Sequence, residues 1–92
     1  MSLKISEQNG TFFVNGKINT STLNSFKSYF HYNLSQNNKV IMNIDNVIEI
    51  DRSGLEIMRS LNNKALLENK IFSIVGYGCK EIYDDFNQFN VA

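Results

Sequence analysis

The chain has a single cysteine, Cys79, which rules out an internal disulfide and a multi-cysteine zinc cage. A basic cluster is also missing: nine Lys and Arg balance nine Asp and Glu, for a net charge of zero. That balance argues against a dedicated nucleic-acid or anionic-membrane binder, which needs a positive patch. No apolar run approaches the roughly 20 residues of a membrane span. The opening Met1-Ser2-Leu3-Lys4-Ile5-Ser6 lacks the apolar core of a signal peptide, so the expected location is the reducing cytoplasm, without direct membrane insertion. Proline and tryptophan are absent while Asn, Lys and Ile are plentiful. This bias suits an AT-rich genome and carries no functional weight.

What remains is an ordinary globular composition. The 92 residues are 42% hydrophobic and 20% charged, values for one small domain over 1–92 and not for a disordered chain. A domain of this size buries only about 60–65% of the surface its unfolded chain exposes, so its stability is a few kcal/mol.

Asn9-Gly10 tolerates positive φ at both positions and predicts a hairpin between Leu3–Gln8 and Thr11–Ile18. Pairing across it sets Ile5 opposite Val14 and Glu7 opposite Phe12. Thr20-Ser21-Thr22 offers N-cap candidates. Leu23, Phe26, Phe30 and Leu34 then recur at helical spacing, up to Asn37-Asn38. Lys39 to Asp45 alternates as a strand, and Val47 and Ile50 anchor a following loop. Ser53 to Glu68 predicts a second helix with Leu55, Met58, Leu61 and Ala65 inward, a stripe widened by Ile57, Leu66 and Leu67. Asn69 is its C-cap candidate. Ile71 to Val75 is the last strand, and Gly76-Tyr77-Gly78 turns into a short helix with Ile82, Tyr83 and Phe86 inward. Glu81, Asp84 and Asp85 fall on the solvated face of that helix.

The fold class is therefore α/β, in the order β-β-α-β-α-β-α. It implies a four-stranded mixed sheet with parallel neighbours across each strand–helix–strand unit. Strands in chain order place the helices mainly on one face and leave Phe13, Ile41, Ser73 and Val75 on the other.

The stretch Val47-Ile48-Glu49-Ile50-Asp51-Arg52-Ser53-Gly54-Leu55-Glu56 concentrates the chemistry. Ser53-Gly54-Leu55-Glu56 matches the capping box, in which Ser and Glu each satisfy a free N–H of the first turn. Asp51 is an alternative N-cap. A serine hydroxyl at a helix N-terminus is also well placed to carry a phosphate, because free N–H groups and the macrodipole favour negative charge there. The two roles of Ser53 are compatible. Leu55 is expected in the core. Gly54 permits close packing or the close approach of a partner.

Asn43-Ile44-Asp45, Val47 and Ile50-Asp51-Arg52-Ser53-Gly54-Leu55 resemble the signature of STAS domains, the anti-sigma factor antagonist family. There a strand ending in Asp leads to Asp-Ser-Ser-Gly-Leu at a helix start. Val14-Asn15-Gly16-Lys17-Ile18-Asn19 is similar to the family's Val-x-Gly-x-Leu-Asp turn. The resemblance implies a STAS-like single domain that binds and does not catalyse. It makes Ser53 the phosphate acceptor and Asp51, Arg52, Ser53, Gly54 and Glu56 the partner-binding patch. The implied partners are an anti-sigma factor that is also a serine kinase, which the unphosphorylated form binds, and a PP2C-type phosphatase. Arg52 and Asn19 depart from the family's Ser and Asp. Most relatives add a strand and a helix after the position of Phe86, so the domain reads as shortened at the C-terminus, with a bare sheet edge suited to a homodimer. The same fold also serves as a constitutive, unphosphorylated subunit of lipid-transport ABC complexes and stress-signalling complexes.

Other chemistry is sparse. His31 has no nucleophile or carboxylate pair placed near it by sequence and is expected at the surface. Gly76-Tyr77-Gly78-Cys79 lacks the Lys-Ser/Thr of a nucleotide P-loop, and no Arg follows Cys79 as a cysteine phosphatase requires. A tight turn with a half-buried thiol is expected. No metal-ligand spacing is present, and no cofactor is expected.

Overall fold

A computed structural model describes residues 3–78. Its elements are β1 (Lys4–Gln8), β2 (Thr11–Ile18), α1 (Leu23–Gln36), β3 (Lys39–Ile50), α2 (Arg52–Leu67) and β4 (Ile71–Val75). They build a four-stranded sheet in the order β1-β2-β3-β4. β1 and β2 are antiparallel, and the two crossovers through α1 and α2 make β2–β3 and β3–β4 parallel. The final helix expected after Gly78, with Cys79, lies outside the described residues.

The hairpin follows its turn chemistry. Asn9 (φ 54°) and Gly10 (φ 85°) both occupy the left-handed region, and the Gly10 N–H donates to the Glu7 carboxylate at 2.7 Å. The resulting register pairs Ile5 with Val14 and Glu7 with Phe12, as the sequence predicts.

Strand alternation sends Phe12, Val14, Val40, Met42 and Ile44 into the core beneath the helices. Against them α1 lays Phe26, Phe30 and Leu34, and α2 lays Met58, Leu61 and Ala65. Ring edges meet faces within this core: Phe12–Phe30 at 5.8 Å, Phe26–Phe30 at 5.2 Å and Phe12–Tyr29 at 5.9 Å between centroids. Thr11, Phe13, Ile41 and Ser73 lie half-buried on the opposite face, with Val75 exposed.

Three expectations need correction. β3 does not end at Asp45 but runs on to Ile50 beside β2. Register shifts at Phe13/Asn15 and Gly16/Lys17 mark bulges, which twist a strand without ending its pairing. Leu66 and Leu67 do not widen the inward stripe of α2; they are 65% and 86% exposed. The buried positions Gly54, Met58, Leu61 and Ala65 repeat at intervals of three and four, and 66 and 67 fall off that line. His31, expected at the surface, is half-buried, and its Nε2 is buried without a hydrogen-bond partner among the described residues.

The helix ends are tied to the rest of the fold. Asn69 takes a left-handed conformation (φ 57°) just past α2. The Lys70 N–H donates to the Ala65 carbonyl at 2.7 Å, and the Asn69 N–H to the Leu66 carbonyl at 3.3 Å, which is a Schellman closure. Lys70 then reaches across to donate from Nζ to the Leu34 carbonyl at 2.5 Å. α1 has no basic side chain in its own last turn, so Lys70 supplies the positive charge that favours a helix C-terminus.

Burial, followed by the positive charges of Lys64 and Lys27, holds the His31 imidazole below its ordinary pKa of 6.5, against a smaller opposing pull from Glu68. Between that lowered value and 6.5 the unfolded chain binds more protons than the folded one, so stability is complete above 6.5 and lost as pH falls. The melting temperature should decline across this window, and His31→Gln should flatten that part of the profile; thermal denaturation at stepped pH checks both.

Candidate functional site

The first turn of α2 sits at the ends of β2 and β3, and its position is fixed by backbone bonds. Ile18 and Ile50 are the last residues of those strands and lie side by side. The next residue, Asp51, remains extended (φ −99°, ψ 179°), and its N–H donates to the Ile18 carbonyl at 3.1 Å. The chain then turns into helix. Asp51 caps it: Oδ1 accepts the Gly54 N–H at 3.0 Å, and the Asp51 carbonyl accepts the Leu55 N–H at 3.1 Å.

Asp51 is therefore the N-cap, and Ser53 is not. Ser53 is the second helical residue, after Arg52, so the Ser53–Glu56 capping box does not form. Its hydroxyl makes no hydrogen bond among the described residues and is not among the buried unpartnered polar atoms. The side chain is half-buried, between exposed Arg52 and buried Gly54. The N–H groups of Arg52 and Ser53, the first two of the helix, lack an intrahelical acceptor.

Gly54 lies beneath this surface. A Cβ at residue 54 would stand 2.7 Å from Ile18 Cγ2 and 2.7 Å from Ile50 Cγ1. The helix start thus rests directly on the strand ends because residue 54 has no side chain. Leu55 is half-buried against the core rather than within it, and Glu56 is exposed. Asp51, Arg52, Ser53 and Glu56 accordingly form the accessible part of the sequence-predicted patch.

The turn into α1 lies beside this cap, because it leaves the same strand end. Asn19 Oδ1 accepts the Ser21 N–H at 2.9 Å. Thr22 occupies the N-cap position of α1, but its side chain makes no cap bond. Its Oγ1 instead donates to the Lys17 carbonyl at 2.9 Å and accepts the Asn19 N–H at 3.0 Å. Lys17 and Glu49 form an exposed ion pair at 3.8 Å across the paired strands. Ile48, in the bulged stretch of β3, is 67% exposed.

Asp45 has a role that residue type alone did not reveal. Oδ1 accepts the Tyr77 N–H at 2.8 Å, fastening the Gly76–Gly78 loop to β3. Gly76 (φ 97°) makes the turn, and a Cβ there would stand 2.6 Å from Asp45 Oδ1. The Asp of the sequence motif was the available signal, since a carboxylate in a bulged strand has backbone N–H groups within reach. Among the described residues no group of His, Cys, Asp and Glu is placed to hold a metal ion, and no helix is long and apolar enough to cross a membrane.

No family model and no curated protein matches the chain. Among solved structures it is similar to the crystal structure of an anti-sigma factor antagonist from Mycobacterium paratuberculosis. The TM-score is 0.66 at 18% identity, over 83% of this chain and 67% of that one. The fold is thus STAS-like.

The cap assignment separates three neighbouring substitutions. Asp51→Ala should cost about 1 kcal/mol through loss of the cap, whereas Ser53→Ala should stay within about 0.5 kcal/mol of the parent. Gly54→Ala should destabilise by about 1–3 kcal/mol through overpacking, although Ala is favoured over Gly in a helix by about 1 kcal/mol. Urea denaturation of the three variants checks the order.

Proposed function

We propose that this chain is a binding module of the anti-sigma factor antagonist kind, that the first turn of α2 is its docking surface, and that Ser53 is its phosphate acceptor. The Ser53 hydroxyl is the observation that carries this reading: it stands in the first helical turn on a half-buried side chain, not sealed from solvent and unbonded among the described residues. The fold shared with an anti-sigma factor antagonist supports it. The module works by binding in the cytoplasm and not by turnover.

A phosphate on Ser53 adds a charge of about −1.5 to −2. The macrodipole and the two free N–H groups of the turn favour that charge, so the domain stays folded. The change falls on whatever is docked there, through bulk and charge at a desolvated contact. The partner is an anti-sigma factor that is also a serine kinase, bound by the unphosphorylated form and released by the phosphorylated one. A PP2C-type phosphatase resets the switch. Asp51, Arg52 and Glu56 supply the polar contacts around Ser53, while Gly54 seats the turn from beneath.

Arg52 favours a second reading. An exposed cation beside Ser53 suits a permanent acidic contact, as in a constitutive subunit of a lipid-transport ABC or stress-signalling complex. Affinity capture from the protein's own cells with tagged parent, Ser53→Ala and Ser53→Asp chains distinguishes the two. Under the switch reading, the parent and Ser53→Ala retain an anti-sigma factor kinase identified by mass spectrometry, and Ser53→Asp loses it with its circular dichroism unchanged. Equal capture of one partner by all three chains would overturn the switch.

A further inference from the structure

The two edges of the sheet differ in chemistry. β1, at one edge, carries Lys4 and Glu7 within Lys4-Ile5-Ser6-Glu7-Gln8. Charged side chains of this kind keep an edge from pairing with a second chain. β4, at the other edge, is Ile71-Phe72-Ser73-Ile74-Val75, with no charge and no proline. Its strand pairing among the described residues is with β3 alone. Ile71 is 53% and Val75 39% exposed, and Leu66 and Leu67 stand exposed just before the strand.

We propose that β4 pairs antiparallel with β4 of a second copy of this chain, about a two-fold axis through Ser73, to make one continuous eight-stranded sheet. The sequence of the strand is self-complementary in this register. Ile71 meets Val75 of the partner subunit, Phe72 meets Ile74, and Ser73 meets its own counterpart. Each of these pairs joins residues an even number of positions apart. Whichever alternate set of backbone groups points away from β3 therefore meets the same set on the second copy, so hydrogen bonds form without a slip.

The faces agree as well. Phe72 and Ile74 lie on the helix side, paired to Val40 and Met42, so the two apolar cores join across the axis. Ile71 and Val75 lie on the opposite face and cover each other. No charged side chain of β4 faces another in this arrangement, and the net charge of zero adds no long-range repulsion between copies. This isologous contact is closed by its own symmetry.

Light scattering after size exclusion on the full chain tests the proposal. The parent should elute at about twice the 10.6 kDa chain mass, with concentration-dependent dissociation. Ser73→Lys, which sets two like charges on the axis, and Ile71→Lys, at a more exposed position, should each elute as a folded monomer. Ser6→Lys, on the β1 edge, should remain dimeric. Ser73→Cys in a Cys79→Ser background should cross-link on oxidation, because directly opposed residues of an antiparallel pair lie within disulfide reach. A parent that is monomeric at all concentrations would overturn the proposal. So would a dimer that survives folded Ile71→Lys, or one lost in Ser6→Lys.

Discussion

The N-terminus of α2 can rest on the sheet only because residue 54 has no side chain. Ile18 and Ile50 end their strands directly under that residue, and a single Cβ would press within 2.7 Å of both. With the contact in place, the Asp51 N–H reaches the Ile18 carbonyl and the Asp51 carboxylate reaches the Gly54 N–H. One close approach thereby fixes the helix start, its cap and the presentation of Ser53. It also begins the buried stripe of α2, which continues through Met58, Leu61 and Ala65.

Much of the fold was legible because local rules and the global arrangement agree. Asn9-Gly10 fixed the hairpin register, since both residues accept positive φ. Phe26, Phe30 and Leu34 marked the buried face of α1, and chain-order strands put both helices on one side. The length of β3 was not legible. Its later buried residues, Ile44, Val47 and Ile50, are spaced by three because bulges reset the alternation, and that spacing does not read as a strand. The exposure of Leu66 and Leu67 was hidden for a related reason: composition marks them as core, whereas helical phase at the end of α2 turns them outward.

The candidate site was legible in its residues and not in its roles. Ser53 and Glu56 have the spacing of a capping box, yet that pairing requires Ser53 outside the helix. Asp51 takes the cap because its N–H is committed to Ile18, which keeps it extended at the boundary. Ser53 is thereby released from capping, while the carboxylate two residues earlier keeps the helix start intact. Asp45 was overlooked because its partner, the Tyr77 N–H, is remote in sequence.

The fold places Ser53 in the first turn of α2, beside the Asp51 cap. The most direct test is intact-mass spectrometry of the protein isolated from its own cells during growth and under stress, with peptide mapping across Ile50 to Arg59. The expected result is a fraction of molecules heavier by one phosphate, localised to Ser53. Absence of phosphate at Ser53 in every condition, with the peptide fully covered, would contradict the switch.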